Sequence, residues 1–587
     1  MKKKNLFTPF GEKVAQEEMP LNDYPRPQLV RDNWQNLNGS WFYVINQQEE
    51  KPSHWTEKIK VPFSPESLLS GVQKNVRPED TLWYKRDFHY EMIKNKKVIL
   101  HFGAVDQVCE VWLNGILVGS HEGGYWPFSI DITSSVKAEN ELIVKVKDAS
   151  DNPIHAYGKQ KQVHGEIWYT PQSGIWQTVW LEEVPENYVT TLNLTPKFDE
   201  KMIQIQIEMV KKPESVEVVI RNQGKEIHRS KTQETLVEIT LPHMIPWTPD
   251  TPHLYDVEII ADQDCVKSYF GMRKFSIGKN NQGHTVPLLN NEPIFYNGLL
   301  DQGYWSDGLY TPPSDDAMIY DITVMKELGY NMLRKHIKVE PLRWYYHCDR
   351  LGMLVWQDFV SGGEPEYNNW VIKYLPFVNI QLKDDNYPLF RRASEKSRKV
   401  FQREMEETIA LLKNVTSLAV WVPFNEGWGQ FDSTAIGDRV RELDATRLVD
   451  YVSGYHDQGK GDFKSPHIYF KKYRLKPDKH DRIQILSEFG GYSCPTENHM
   501  TTDKLFGYKM YKTKEKLTTA YVSLYEREII PAIEKGLSGT VYTQVSDVEE
   551  EINGLLMYDR RVLKLDRLKI KALNQRIYDV FKEQNKE

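Results

Sequence analysis

Hydrophobic and polar positions along this chain follow three rhythms in succession. Between about residues 33 and 184, short apolar stretches alternate with turns, at 41–45, 81–90, 97–102, 108–113, 116–119, 141–146 and 177–182. Two of these flank Asn114-Gly115, a pair that signals a tight hairpin because both turn positions need positive φ. So many closely spaced strands without a helical pattern predict an antiparallel jelly-roll sandwich, assigned to residues 1–185. The next block, residues 186–280, alternates strictly in MIQIQIEM (202–209) and LVEITL (236–241), the pattern of strands with one buried face. It reads as an immunoglobulin-like β-sandwich, most simply a spacer.

From about residue 282 the order becomes strand, loop, helix. Strands are predicted at 294–299, 331–334, 353–357, 417–423, 448–452, 467–470, 483–486 and 539–544, with helices at 315–328, 341–351, 394–413, 433–443 and 519–535. Eight strands with intervening helices are what a (β/α)8 TIM barrel requires, so residues 281–587 are assigned to one. A doubly wound sheet would want a Gly-rich phosphate loop after its first strand, and none is present. The polar excursion 361–393 follows the third strand on the face where barrels keep their active sites. It reads as a substrate-shaping lid or as a contact between copies, which leaves a homo-oligomer open.

Composition narrows the picture. The length of 587 residues exceeds one hydrophobic core. A formal net charge of −7 gives no electrostatic reason to expect nucleic acid or an anionic membrane as partner. Met1 to Lys4 is basic, but no apolar segment of signal-peptide or membrane-spanning length follows, so a cytoplasmic location is expected. Cys109, Cys265, Cys348 and Cys494 are scattered, which predicts buried thiols rather than disulfides. No clustered His, Asp or Glu spacing demands a metal, and no cofactor is expected. The 16 Trp and 32 Tyr fill aromatic cores on the plain reading; on the sharper one, some stack on sugar faces.

Two apolar runs end in a carboxylate. SLAVWVPFNEGWGQ (417–430) places Glu426 at the tip of the fourth predicted strand, and QILSEFGG (484–491) places Glu488 at the tip of the seventh. Residues at the C-terminal ends of barrel strands line one pocket, so the two face each other across it. Either one alone is explained as a helix N-terminal acid. Together they suit glycosidic hydrolysis, which needs a proton for the leaving oxygen and a partner for the oxocarbenium-like carbon. Whether their separation favours retention or inversion is not legible in the sequence.

The blocks TVMKELGYNMLRKH, YYHCDRLGMLVWQDF, VPFNEGWGQ, LSEFGG and GTVYTQVSDVEEEINGLLMYDRR are similar to successive barrel blocks of glycoside hydrolase family 2. The order of jelly roll, immunoglobulin-like sandwich and barrel resembles that family over nearly the whole chain. The resemblance implies retaining exo-hydrolysis of an oligosaccharide or glycoside, with Glu426 as general acid/base and Glu488 as nucleophile. It further implies that Arg334 and Tyr469 attend the nucleophile and that Asn425 holds the sugar 2-hydroxyl. Asp301, Gln302, His336, Asp358, Trp428, Tyr542 and Gln544 are further candidates at the mouth, while Trp305 and Trp370 read as loop anchors more than sugar platforms.

The chain also departs from the family. Residues 297–303 read NGLLDQG where galactosidase members carry an Asn-Arg-His-like sequence, and the His after Arg334 falls one position early. CDRLGMLVWQDF resembles β-mannosidase-type members as much, and no glucuronidase-type Asn-x-Lys occurs in the barrel. A β-galactosidase-like exo-enzyme is expected, with a β-mannosidase or an arabinoside or galactofuranoside hydrolase as alternatives. A non-catalytic carbohydrate-binding protein is the competing class, but a degenerate member would be expected to lose one carboxylate, and both are here.

Overall fold

Alternation of buried and exposed positions builds the first two units. A computed structural model describes residues 4–91, 95–378 and 380–586; the basic start Met1 to Lys3, and Asn379 within the 361–393 excursion, lie outside them. In the first unit a six-stranded and a four-stranded antiparallel sheet enclose a core that includes Trp41, Tyr84, Leu100, Val111, Leu142 and Leu181. The Val108–Leu113 and Ile116–Glu122 strands turn at Asn114 (φ 53°) and Gly115 (φ 83°), the expected positive-φ pair. The second unit packs a three-stranded on a four-stranded sheet, and in Met202–Met209 the isoleucines at 203, 205 and 207 point inward. Cys265, expected to be buried, lies on the exposed face of this unit, because the alternation in Asp264–Phe270 turns Asp264 and Val266 inward instead; Cys109, Cys348 and Cys494 are buried. All four thiols are free.

An N-terminal segment ties the two sandwiches together. Val30 bridges to Lys267 of the second, and buried Arg31 reaches both Glu182 of the first at 3.0 Å and Asp264 of the second at 2.8 Å.

The remainder is a parallel barrel of β1 (Tyr296–Asp301), β2 (Met332–Lys335), β3 (Leu354–Asp358), β4 (Leu418–Val422), β5 (Leu448–Val449), β6 (Phe463–Lys464), β7 (Ile483–Gly490) and β8 (Leu537–Thr543). Hydrogen bonding runs β5-β4-β3-β2-β1-β8-β7-β6, a nearly closed cylinder. Its interior is filled by Tyr296, Leu300, Met332, Trp356, Val420, Ile483, Ile485 and Val541, while the alternate positions face the surrounding helices. The helices Asp315–Glu327, Leu342–Leu351, Glu395–Leu412 and Ser433–Leu443 fall where the periodicity places them. The helical stretch expected at 519–535 starts earlier, at Lys514, and passes through a π-turn at Tyr525–Ile529. A last helix, Arg567–Gln584, closes the barrel's outer layer through Ile570, Leu573, Ile577 and Phe581.

The 361–393 excursion holds a π-turn, Trp370–Tyr374, pinned where His456 Nε2 donates to Val371 O at 2.7 Å. Trp370 is 66% exposed, its ring 5.3 Å from that of Tyr374 in the same turn, whereas Trp305 is buried with the Arg560 guanidinium 4.2 Å over its ring. Among the described residues no helix is long and apolar enough to cross a membrane.

Candidate active site

Two local irregularities aim the carboxylates. On β4, Val420 and Val422 face inward, Pro423 interrupts the ladder, and the two-residue strand Phe424–Asn425 resumes with Phe424 outward and Asn425 inward. Glu426 follows in the left-handed region at φ 52°, its N–H donating to Ser453 O at 2.9 Å. On β7, Leu486 and Phe489 both face the helices, an odd step that requires an irregularity, and the register slips there. Ser487 and Glu488 are left on the inner side. Strict alternation would have turned Glu488 away from the pocket.

Glu488 is 4% exposed and accepts at both oxygens. Arg334 Nη1 donates to Oε1 at 3.2 Å and the Tyr469 hydroxyl to Oε2 at 2.5 Å. Arg334, fully buried on β2, also donates to Asn425 Oδ1 at 2.7 Å and through Nε to Asp358 Oδ1 at 2.9 Å. His336 Nδ1 meets the other oxygen of Asp358 at 2.7 Å. One guanidinium thus fixes the nucleophile candidate, the asparagine and the β3 aspartate in a single plane of contacts. Asp358 is nevertheless held above the usual carboxylate range, because its burial outweighs the Arg334 charge.

Glu426 sits in a different setting. Burial raises its carboxyl above the usual range, against the opposing charges of Lys159 and Arg334. Its Oε1 is 2.8 Å from His467 Nδ1. Burial drops His467 to about 4, so the ring is neutral and carries one proton. That proton can be placed: Ser487 Oγ donates to Ser465 O at 2.7 Å, Ser453 Oγ donates to Ser487 Oγ at 2.9 Å, and Ser453 therefore accepts from His467 Nε2 at 3.0 Å. With Nε2 protonated, Nδ1 is an acceptor, and the partner it selects is the protonated form of Glu426.

One oxygen of Glu426, one of Glu488 and a ring nitrogen of His467 all lie within 4.8 Å of one another. This is the only such trio of ligand-type side chains among the described residues. Arg334 and Tyr469 already engage both Glu488 oxygens. The two carboxyls therefore bring one oxygen each to within 4.8 Å across the pocket.

The jelly-roll unit supplies part of the wall. Trp428 lies 5.2 Å from Trp168 and 5.7 Å from Tyr367, ring to ring, and the Lys159 ammonium stands 4.4 Å from the Trp428 ring centre. Tyr508 stacks on Tyr469 at 4.1 Å. Among the described residues, several buried polar atoms here have no partner: Asn425 Nδ2, Trp428 Nε1, Gln302 Oε1 and Gln544 Oε1. A ligand rich in hydroxyls is the kind that satisfies them.

Of the residues expected at the mouth, Glu426, Glu488, Asn425, Arg334, Tyr469, His336, Asp358 and Trp428 come together. Asp301 and Tyr542 do not. The interior positions of β1 are Tyr296 and Leu300, so Asp301 points outward, where Lys335 Nζ donates to it at 2.7 Å beside Trp344; Gln302 has the inward parity. On β8 the interior position is Val541, which sends Tyr542 into the barrel–helix core against Phe489 and Tyr521, while Thr543 turns in to meet the Tyr469 hydroxyl at 2.8 Å. Gln544 sits one step back in the wall, donating to Asn553 Oδ1 at 2.7 Å. Sequence reasoning missed His467, although it lies only two residues before Tyr469, and the two side chains meet Glu426 and Glu488 respectively. Lys159, Trp168 and Tyr508 carry no local signal, since they reach the site only through tertiary packing.

Comparison with known proteins matches these parts in order. Residues 57–178 match the glycosyl hydrolase 2 galactose-binding domain-like model, 187–273 the glycosyl hydrolases family 2 model, and 286–562 the family 2 TIM barrel domain. The β-galactosidase of Thermoanaerobacter pseudethanolicus is 27% identical over 60% of this chain and 50% of its own length, so the chain spans about half of that relative. The β-glucuronidase of Streptococcus agalactiae is 23% identical over 69% of the chain and 68% of the relative. Among solved structures, the β-glucuronidase of an uncultured Clostridium species shares the fold with a TM-score of 0.73 at 17% identity, covering 94% of this chain and 99% of its own. With three domain models of one family matched in succession, the chain belongs to glycosyl hydrolase family 2.

Proposed function

We propose that this protein is a retaining exo-β-glycosidase in which Glu488 is the nucleophile and Glu426 the general acid/base. The observation that carries the reading is a pair of carboxyls, one oxygen of each within 4.8 Å of the other, in opposite settings: one accepts from Arg334 and Tyr469, the other is raised by burial. Glu426 gives its proton to the leaving oxygen as Glu488 bonds to the anomeric carbon. In the second half Glu426, now a carboxylate, takes a proton from the water that releases the sugar. Asn425, held by Arg334 through its carbonyl, keeps its Nδ2 donors free for the sugar 2-hydroxyl, whose contacts strengthen toward the transition state. The wall built by Trp428, Trp168 and Lys159 supports a closed subsite for a terminal sugar. Relatives named β-galactosidase and β-glucuronidase support a hexopyranoside, and the galactoside expected from sequence stands within that range.

Azide rescue tests the assignment. Glu488→Ala should abolish cleavage of an activated aryl β-glycoside, with added azide restoring turnover as the α-glycosyl azide. Glu426→Ala should instead yield the β-azide. Undiminished turnover by Glu488→Ala would sink the nucleophile assignment.

A further inference from the structure

Lys159 belongs to the jelly-roll unit, and the double displacement gives it no task. It is 5% exposed, lodged between Trp428 at 4.4 Å and Trp168 at 5.6 Å, ammonium to ring centre. Among the described residues its ammonium has no hydrogen-bond acceptor and no carboxylate at ion-pair distance; Lys161 beside it, by contrast, donates to Pro365 O at 2.6 Å. Burial lowers the Lys159 ammonium below its ordinary range, and the charges of Glu551, Glu426 and Glu488 oppose that only from farther off, so an anion at contact would restore its full charge. Aromatic faces compensate part of the desolvation of a cation but leave its three donors unspent. Trp428, the residue it covers, lies two positions after the acid/base, so the unspent charge borders the sugar subsite. A buried cation without a partner is costly, and the group that relieves it best is an anion that also accepts hydrogen bonds.

We propose that Lys159 receives the carboxylate of a terminal β-linked uronic acid, so that the sandwich domain, rather than a barrel Asn-x-Lys, reads the acidic sugar. This rests on the glycosidase reading and narrows its substrate class to uronides. A neutral sugar offers hydroxyl acceptors at that place but no charge.

The test compares nitrophenyl β-glucuronide and β-galacturonide with the matching glucoside and galactoside, using wild type, Lys159→Met and Lys159→Arg. Wild type should favour a uronide over its neutral match. Lys159→Met, which keeps the stem between the tryptophans, should lower kcat/KM for the uronide about 100-fold more than for the neutral sugar, the scale of losing one partner of a buried charge pair. Lys159→Arg should recover part of that difference. In the unaltered protein, free glucuronate or galacturonate should inhibit at lower concentration than glucose or galactose, a comparison that does not depend on how the variants fold. Equal losses on both sugars, or a wild-type preference for the neutral ones, would overturn the proposal and leave the glycosidase reading intact. Failure to cleave any of the four, with no azide adduct from Glu488→Ala, would overturn the glycosidase reading itself.

Discussion

His467 meets Glu426 at 2.8 Å through Nδ1 while its other nitrogen donates to Ser453, so the ring offers the glutamate a lone pair and not a proton. An acceptor in that place favours the protonated carboxyl, the form an acid needs before it can act. Replacing His467 by Phe keeps most of the ring volume and removes the acceptor. The basic limb of the kcat/KM profile should then move to lower pH, with turnover of substrates bearing poor leaving groups falling most. A limb that stays in place would show that the histidine only fills space.

Loss of the acid itself should depend on the leaving group. Glu426→Ala should cost about 10²- to 10⁴-fold on alkyl or sugar aglycones, the usual contribution of a general acid. On dinitrophenyl glycosides, which need no proton, the bond-breaking step should suffer little. Equal losses across the series would argue against the acid role.

The pH profile has a sign that can be worked out. Burial raises Glu426 and the Lys159 charge opposes the rise. Activity should therefore fall as pH increases through the raised value, where the acid loses its proton. Lys159→Met removes an opposing cation, which should push that limb to higher pH, the reverse of the His467→Phe shift. Titrating kcat/KM for both variants on one neutral substrate measures the two displacements together.

Stability should hinge on Arg31. The side chains of Arg31, Glu182 and Asp264 are 5%, 1% and 4% exposed, so Arg31→Met leaves two carboxylates buried with fewer partners. A loss of about 3 to 5 kcal/mol is expected in the unit formed by the two sandwiches. Glu182 is held well below the usual carboxylate range by the Arg26 and Arg31 guanidiniums and His101, against its burial. Its contribution is present above its unfolded value and lost as pH falls toward the folded one, so the gap between wild type and variant should narrow in acid. Thermal unfolding of both proteins across pH reads this directly.

The barrel was legible because parallel strands buried on both faces appear as unbroken apolar runs, and VWVPFNEGWG and ILSEFGG end in their carboxylates. Side-chain direction was less so. Asp301 and Tyr542 looked like mouth residues by position, but the parity of their strands assigns that role to Gln302 and Thr543. Glu488 shows the opposite case, since only the irregularity at Ser487 turns it inward, and no periodic reading contains that. The final helix was not read, although Ile570, Leu573, Ile577 and Phe581 stand at helical spacing. Nor was Lys159, because about 270 residues of chain separate it from the tryptophan it covers, and only docking of one domain on another brings them together.

The backbone at Glu426 has a consequence for how such a protein decays. A φ of 52° is one that glycine adopts freely and that costs other residues about 1 kcal/mol. Drift toward glycine at this one position would relax the chain while removing the proposed acid, so on that reading an inactive descendant would be favoured by folding and opposed only by selection for turnover. Comparing the melting of Glu426→Gly with that of Glu426→Ala separates the relief given by the backbone from the loss of the side chain. The proposed acid stands at a place where stability alone would install no side chain at all.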